Sequence, residues 1–235
     1  MPVPKTHLQT LTSRIDSCFA LSLSAVAGAV DAIAYLQVSS LFVANQTGNT
    51  VWLGVNLASG QWSEAFRHFS PILAFLGGII FSRLLLNIQP GKSQRTFPII
   101  AVPLISASAL LAVAAFVLPR ATGVFVPWLS FSLGMQNAAY TRVDGVSLNT
   151  AFITGDLEKL GEALVNRWTG KDPQQTGKAS NLILLVWSFY LVGAAAGCAL
   201  AHYFRAGAFL FPAGLMVATA GLLIVNYQKT AKSKA

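Results

Sequence analysis

The chain holds 235 residues, 54% of them hydrophobic and 10% charged, with a net charge of +8. Soluble domains carry about a quarter charged residues, so a soluble globular protein is excluded. The basic balance has no Arg/Lys cluster interleaved with aromatics, which excludes a nucleic-acid surface and fits the Lys/Arg-rich cytoplasmic loops of a membrane protein.

Residues 1–16 read as a polar, basic tail. Six apolar runs follow, at 17–36, 69–88, 97–118, 121–141, 180–204 and 206–227. Each is long enough to cross a bilayer core of ~30 Å. Ala25-Val26-Ala27 resembles a signal-peptidase site, but cleavage there would remove the helix that leads into Gly28, so the first run reads as retained. The connector 37–68 carries a short apolar piece, Leu41 to Ala44, then polar Asn45, Gln46, Thr47 and Asn49, then a helical stretch from Val51. The second connector, 142–179, is longer and more polar, with Asp156, Glu158, Lys159 and Glu162. Gly193-x-x-x-Gly197 permits close approach of a neighbouring helix. Cys18 and Cys198 lie inside apolar runs and read as small packing residues.

One pattern occurs twice. Thr47-Gly48-Asn49 precedes Leu53-Gly54 and Leu57, and Thr154-Gly155-Asp156 precedes Leu160-Gly161 and Leu164. Upstream, Gly28-x-x-Asp31-Ala32 matches Gly134-x-x-Asn137-Ala138. The offset is 107 residues at the threonines and 106 at the glycines. Downstream, Phe75-Leu76-Gly77 roughly matches Leu191-Val192-Gly193. A period this long describes two half-proteins, 17–118 and 119–227, followed by a basic tail at 228–235.

Lys and Arg counts set the topology. With six spans and the N-terminus inside, all sixteen Lys and Arg except Arg67, Arg120 and Arg205 fall on the cytoplasmic side. Letting the Thr-Gly segments cross as well weakens this bias. The expected fold is therefore an all-α polytopic membrane protein with both termini cytoplasmic. Each half then holds three spans, so the halves are inverted repeats, each with a broken or re-entrant half-helix at its Thr-Gly motif. That arrangement occurs in many secondary transporters.

The candidate binding residues are Asp31, Thr47, Gly48, Asn49, Gln136, Asn137, Thr154, Gly155 and Asp156. A helix start offers free N–H groups and partial positive charge to an anion or carboxylate. Glycine lets the backbone turn sharply there or approach a ligand closely. The motifs read either as two helix starts sharing one buried polar site or as ordinary capped helices at opposite surfaces. Asp31 reads either as a coupling acid or as an interfacial aspartate, since an acid inside a span costs ~2.5–3.5 kcal/mol without a partner. His7, His68 and His202 are scattered, so no metal site and no cofactor are expected. No nucleophile–base set converges, so an enzyme is not expected. Trp52 reads as a site residue or as part of the interfacial belt.

These motifs resemble the YoaK-like bacterial membrane proteins, a family of unknown function, and the resemblance spans about residues 15–227. It implies a bacterial inner-membrane protein and supplies no substrate or catalytic residue. The twice-repeated half-helix is also similar, at the level of fold alone, to nucleobase and sulfate transporter cores. The expected function is a secondary transporter or channel for a small polar or anionic solute. The alternative is a non-transporting scaffold or sensor subunit. The expected partners are membrane lipids and the solute, with no nucleic acid and with room for a homo-oligomer.

Overall fold

The structure, a computed structural model, describes residues 7–88, 122–139, 141–143, 146–150, 153–170 and 173–232. The helices are α1 His7–Gln37, α2 Gln46–Ala58, α3 Trp62–Ile88, α4 Thr122–Ala139, α5 Thr154–Trp168, α6 Pro173–Phe204 and α7 Leu210–Lys232. The apolar run expected at 97–118 lies outside the described residues. A short antiparallel pair, β1 Arg142–Val143 and β2 Val146–Ser147, precedes α5, and a 3-10 turn Arg205–Phe209 joins α6 to α7. Among the described residues the fold is thus helical apart from its connecting loops and one short two-stranded ladder.

Among the described residues, three stretches are long and apolar enough to cross a membrane: Ser17–Gln37, Trp62–Asn87 and Thr176–Leu222. The last takes in α6, the 3-10 turn and most of α7. A membrane location follows, because α3 and α6 expose ridges of large apolar side chains, among them Phe66, Leu73, Ile80, Leu184, Leu191 and Val192. In water such ridges would be an aggregation hazard.

Three helices begin earlier than hydrophobicity alone places them: α1 starts at His7, within the stretch read as a polar tail and ten residues before the first apolar run. The second apolar run starts at residue 69, yet α3 starts at Trp62. Gly60, at φ 71°, turns the chain sharply after α2. The polar start of α3 is then held by the Arg67–Glu64 ion pair at 3.0 Å, one helical turn apart. Likewise α6 starts at Pro173 rather than 180; proline suits a first helical position, where no N–H is needed. Pro71 lies inside α3 and cannot donate to the carbonyl of Arg67. The Ser70 hydroxyl donates to that carbonyl instead, at 3.2 Å.

Helix α1 is the centre of the packing. Its Phe19, Leu23, Val26, Val30, Ile33 and Ala34 join Phe125, Leu129 and Leu133 of α4 and Phe209, Ala213 and Met216 in one core. Ala25, Val26 and Ala27 are all buried. A smaller core gathers Ala20, Leu148, Leu160, Ile183 and Val186.

Two helix crossings bring backbones into contact. In α1–α6, a Cβ on Gly28 would run into the Tyr190 carbonyl, one on Gly193 into the Ala25 carbonyl, and one on Gly197 into Ala29. In α3–α4, a Cβ on Gly134 would run into the Phe75 carbonyl and one on Gly78 into the Phe131 carbonyl. The close approach expected of Gly193 and Gly197 is therefore present. Cys18 and Cys198, expected to pack inside, are both exposed. Cys198 follows the buried Gly197 by one residue, which rotates it about 100° away from the crossing.

Candidate functional site

The first connector is organised by Asp31, which is 3% exposed. Helix α1 ends through Ser39 and Ser40, both in the left-handed region at φ 52° and 61°. Two consecutive non-glycine residues there are costly, about 1–2 kcal/mol each. The turn brings the next backbone N–H groups back over α1. Asp31 Oδ1 accepts from the N–H of Val43 at 2.8 Å and of Ala44 at 2.7 Å. Its Oδ2 accepts from the N–H of Asn45 at 3.0 Å and from the Tyr190 hydroxyl at 2.8 Å. Four donors on one buried carboxyl offset the cost of holding an acid in a span. Asp31 is therefore enclosed by the protein and fully engaged in this conformation.

The helix start of α2 is capped from outside the motif. Asn45 is the N-cap, and its side chain accepts from the Gly48 N–H at 3.3 Å. Thr47 is exposed. Asn49 is fully buried and clamps the backbone of Phe42: its Oδ1 accepts from the Phe42 N–H at 3.0 Å and its Nδ2 donates to the Phe42 carbonyl at 2.8 Å. Its Nδ2 also donates to Gln46 Oε1 at 2.8 Å. The space beside Gly48 is filled by the Phe42 ring.

The second motif repeats this clamp. The Asn149 N–H donates to both Asp156 oxygens, at 3.1 and 3.0 Å, across the same seven-residue separation as Phe42 and Asn49. Asn149 also stands beside Gly155 as Phe42 does beside Gly48. Lys159 donates to Asp156 at 3.1 Å and to the Ser147 carbonyl at 3.3 Å. Burial pushes the Asp156 carboxyl up from its ordinary value, while the Asn149 N–H and Lys159 pull it back down. Thr154 is exposed, and α5 has no side-chain cap.

The structure thus joins Asp31 to the first motif through Asn45 and to α6 through Tyr190. It joins Asp156 to its own connector. Among the described residues, no hydrogen bond links the two motifs: α2 packs on α3, and α5 on α6. Gln136 and Asn137 behave differently. They are 2% and 7% exposed. Gln136 Oε1 and Nε2 and Asn137 Oδ1 are buried with no hydrogen-bond partner.

Among the described residues, the remaining buried side-chain atoms without a partner are Nδ1 of His68 and the hydroxyls of Ser82 and Ser130. All six atoms lie on α3 or α4. His68, Phe75, Gly78 and Ser82 share one stripe of α3 by helical spacing, and Ser130, Gly134 and Asn137 share one of α4. The α1–α6 crossing, by contrast, has its polar groups paired. There Ser24 donates to the Val186 carbonyl at 2.8 Å and Gln37 to the Ala201 carbonyl at 3.3 Å. The ring of His68 stacks on that of Trp52 at 5.9 Å across the α2–α3 hairpin, and Trp52 is itself exposed. Among the described residues, no group of three His, Cys, Asp or Glu could hold a metal ion.

Residue reasoning missed Tyr190, Phe42, Asn45 and Asn149. An N-cap signal at Asn45 was visible one residue before α2. Tyr190 had no local signal at all.

No solved structure matches the chain. The chain is 30% identical over 181 residues to "UPF0700 transmembrane protein YoaK" of Bacillus subtilis (strain 168), a match covering 73% of this chain and 78% of that one. The profile of a family described as "Protein of unknown function (DUF1275)" matches residues 19–222. The chain therefore belongs to the DUF1275 family, as a YoaK-like transmembrane protein.

Proposed function

We propose that the chain is a multi-pass transporter or channel of the bacterial inner (cytoplasmic) membrane that passes a small polar or anionic solute. In this reading it has six spans arranged as two inverted three-helix repeats, with both termini cytoplasmic. One observation carries the reading: the row of unpartnered polar groups on the packed helices α3 and α4. From His68 to Ser82 the α3 stripe covers about 21 Å at 1.5 Å per residue. That is most of a ~30 Å hydrocarbon core. A buried polar group without a partner costs several kcal/mol in hydrocarbon, so such a row is retained where water or solute can satisfy it.

The matched clamps at Asn49 and Asp156 and the reciprocal glycine crossings support the repeat. Gln136 and Asn137 are the solute contacts in this reading. Asp31, Thr47, Gly48, Asn49, Thr154, Gly155 and Asp156 build the frame around them. Membrane lipids cover the exposed apolar ridges, with room for a homo-oligomer, and no catalysis is assigned. The four donors on Asp31 favour the second reading, a non-transporting scaffold, for the first half taken alone.

The test is flux. Purified protein in proteoliposomes should equilibrate small polar solutes faster than protein-free vesicles, and a leucine at Ser130 or Asn137 should slow it. Flux equal to that of empty vesicles across neutral, anionic and cationic solutes would leave the scaffold reading.

A further inference from the structure

The two glycine crossings match residue for residue. Gly28 rests on the carbonyl of Tyr190, and Gly134 rests on the carbonyl of Phe75. Three residues beyond each ring-bearing residue, Gly193 and Gly78 rest on the carbonyls of Ala25 and Phe131. Ala25 and Phe131 each lie three residues before the glycine of their own helix. Three residues after that glycine comes the polar side chain: Asp31 in α1, Asn137 in α4. Tyr190 therefore stands to Asp31 as Phe75 stands to Asn137. In the first crossing the Tyr190 hydroxyl donates to Asp31 at 2.8 Å. In the second, a phenyl ring has no hydroxyl to give, and Asn137 Oδ1 is buried without a donor.

We infer that the second crossing is a binding seat for a neutral, amide-like solute, whose N–H takes the place that the Tyr190 hydroxyl holds in the first. The inference rests on the transport reading and gives that site its solute class. Asn137 Oδ1 is the unpartnered acceptor beside the crossing, and its chain neighbour Gln136, about 100° round the same helix, leaves an acceptor, Oε1, and a donor, Nε2, unpartnered. A primary amide or urea offers the complement, two N–H donors and one carbonyl. A carboxylate anion offers acceptors only and would face two carbonyl oxygens. Helix α4, Thr122–Ala139, carries no charged residue to compensate an ionic solute.

The experiment uses purified full-length protein with acetamide, urea and sodium formate as probes, read by thermal unfolding in detergent and by light-scattering flux in proteoliposomes. Acetamide and urea should raise the unfolding midpoint of the wild type, and formate should not. Phe75→Tyr supplies the missing hydroxyl. Gln136→Met removes the unpartnered amide at similar volume. Both should unfold at higher temperature than wild type without any probe, because Phe75→Tyr gives Asn137 Oδ1 a donor and Gln136→Met removes two unpartnered buried atoms. Both should need at least ~10-fold more acetamide for the same protection, the effect of one lost hydrogen bond to the solute.

A lower midpoint for Gln136→Met would overturn the seat, since its amide would then have been paired. So would undiminished acetamide protection in both variants, or no protection of the wild type by either amide. Protection by formate overturns the solute class. Protection by acetamide in vesicles that show no flux leaves the seat standing and removes the transport reading. Flux that neither variant slows does the reverse.

Discussion

Tyr190 of α6 donates its hydroxyl to Asp31 of α1 at 2.8 Å, across 159 residues of sequence. The bond ties the two halves of the chain at the point where the first connector folds back over α1. It completes a set of four donors on a carboxyl that could otherwise have served a solute or a proton.

The first prediction follows from that set. Tyr190→Phe should cost about 1.5–3 kcal/mol, the range for a hydrogen bond to a charged group. Asp31→Ala should cost more, because it orphans the N–H groups of Val43, Ala44 and Asn45 together with the Tyr190 hydroxyl. Asp31→Asn should also destabilise, since its amide NH₂ would face donors. Folding should thus be sensitive at Asp31. Thermal unfolding in detergent, followed by tryptophan fluorescence, measures the order; an Asp31→Asn midpoint equal to wild type would contradict it.

The glycines separate into two classes. Alanine at Gly28, Gly78, Gly134 or Gly193 places a methyl against a backbone carbonyl of the crossing helix. The helices must then part, at a cost of roughly 1–3 kcal/mol or more. Gly54 and Gly161, the glycines of the repeated Leu-Gly pairs, have open space where a Cβ would go. Both are helical, so alanine there should stabilise by about 0.5–1 kcal/mol. A loss of stability in Gly54→Ala and Gly161→Ala would show that a partner covers that face in the membrane.

Asp156 sets a pH dependence. Burial raises its folded carboxyl above the ordinary 3.8, to which it returns on unfolding. Its contribution to stability is therefore fully present below 3.8 and is lost as pH rises through the raised folded value. Asp156→Asn keeps an oxygen for the Asn149 N–H, as Asn49 does for Phe42, and should flatten that part of the stability profile. Asp156→Ala should cost about 1–3 kcal/mol at every pH by leaving the Asn149 N–H unpaired. Midpoints measured from acid to neutral pH decide this; an unchanged slope in Asp156→Asn would assign the titration elsewhere.

Topology can be read with cysteines at Ser59 and Thr169, the exposed C-caps of α2 and α5. The inverted arrangement puts them on opposite sides of the membrane. Cys18 and Cys198 are free and exposed, so the background should carry alanine at both. Labelling of both introduced cysteines from one side would remove the inverted repeat.

Much of the candidate site was legible before the fold was known. Gly28, Gly134 and Gly193 were visible as repeated or paired small residues, and each proved to be a backbone contact. The echo of Phe75-Leu76-Gly77 in Leu191-Val192-Gly193 was seen one residue out of register; the crossings pair Phe75 with Tyr190 and Gly78 with Gly193. The roles of Thr47 and Thr154 were not legible. Both stand on exposed faces, and the capping in the first copy falls to Asn45. The polarity of a Thr-Gly-Asn stretch marks a helix start, but which side chain turns inward depends on what the start packs against.

By itself the sequence determined the membrane class, the positions of the long apolar helices that are described, and the spacing of the two motifs. These are local properties: hydropathy accumulates over about 20 residues, and helical faces recur every three or four. Only the tertiary structure decided that Asp31 is hydrogen-bonded while side-chain atoms of Gln136 and Asn137, equally buried, have no partner. Three of the donors on Asp31 come from the connector that folds back over α1, and the fourth from a ring hydroxyl 159 residues away. A hydrogen bond between distant segments leaves no period in the chain, and one oxygen atom on an aromatic ring is invisible until the helices are crossed.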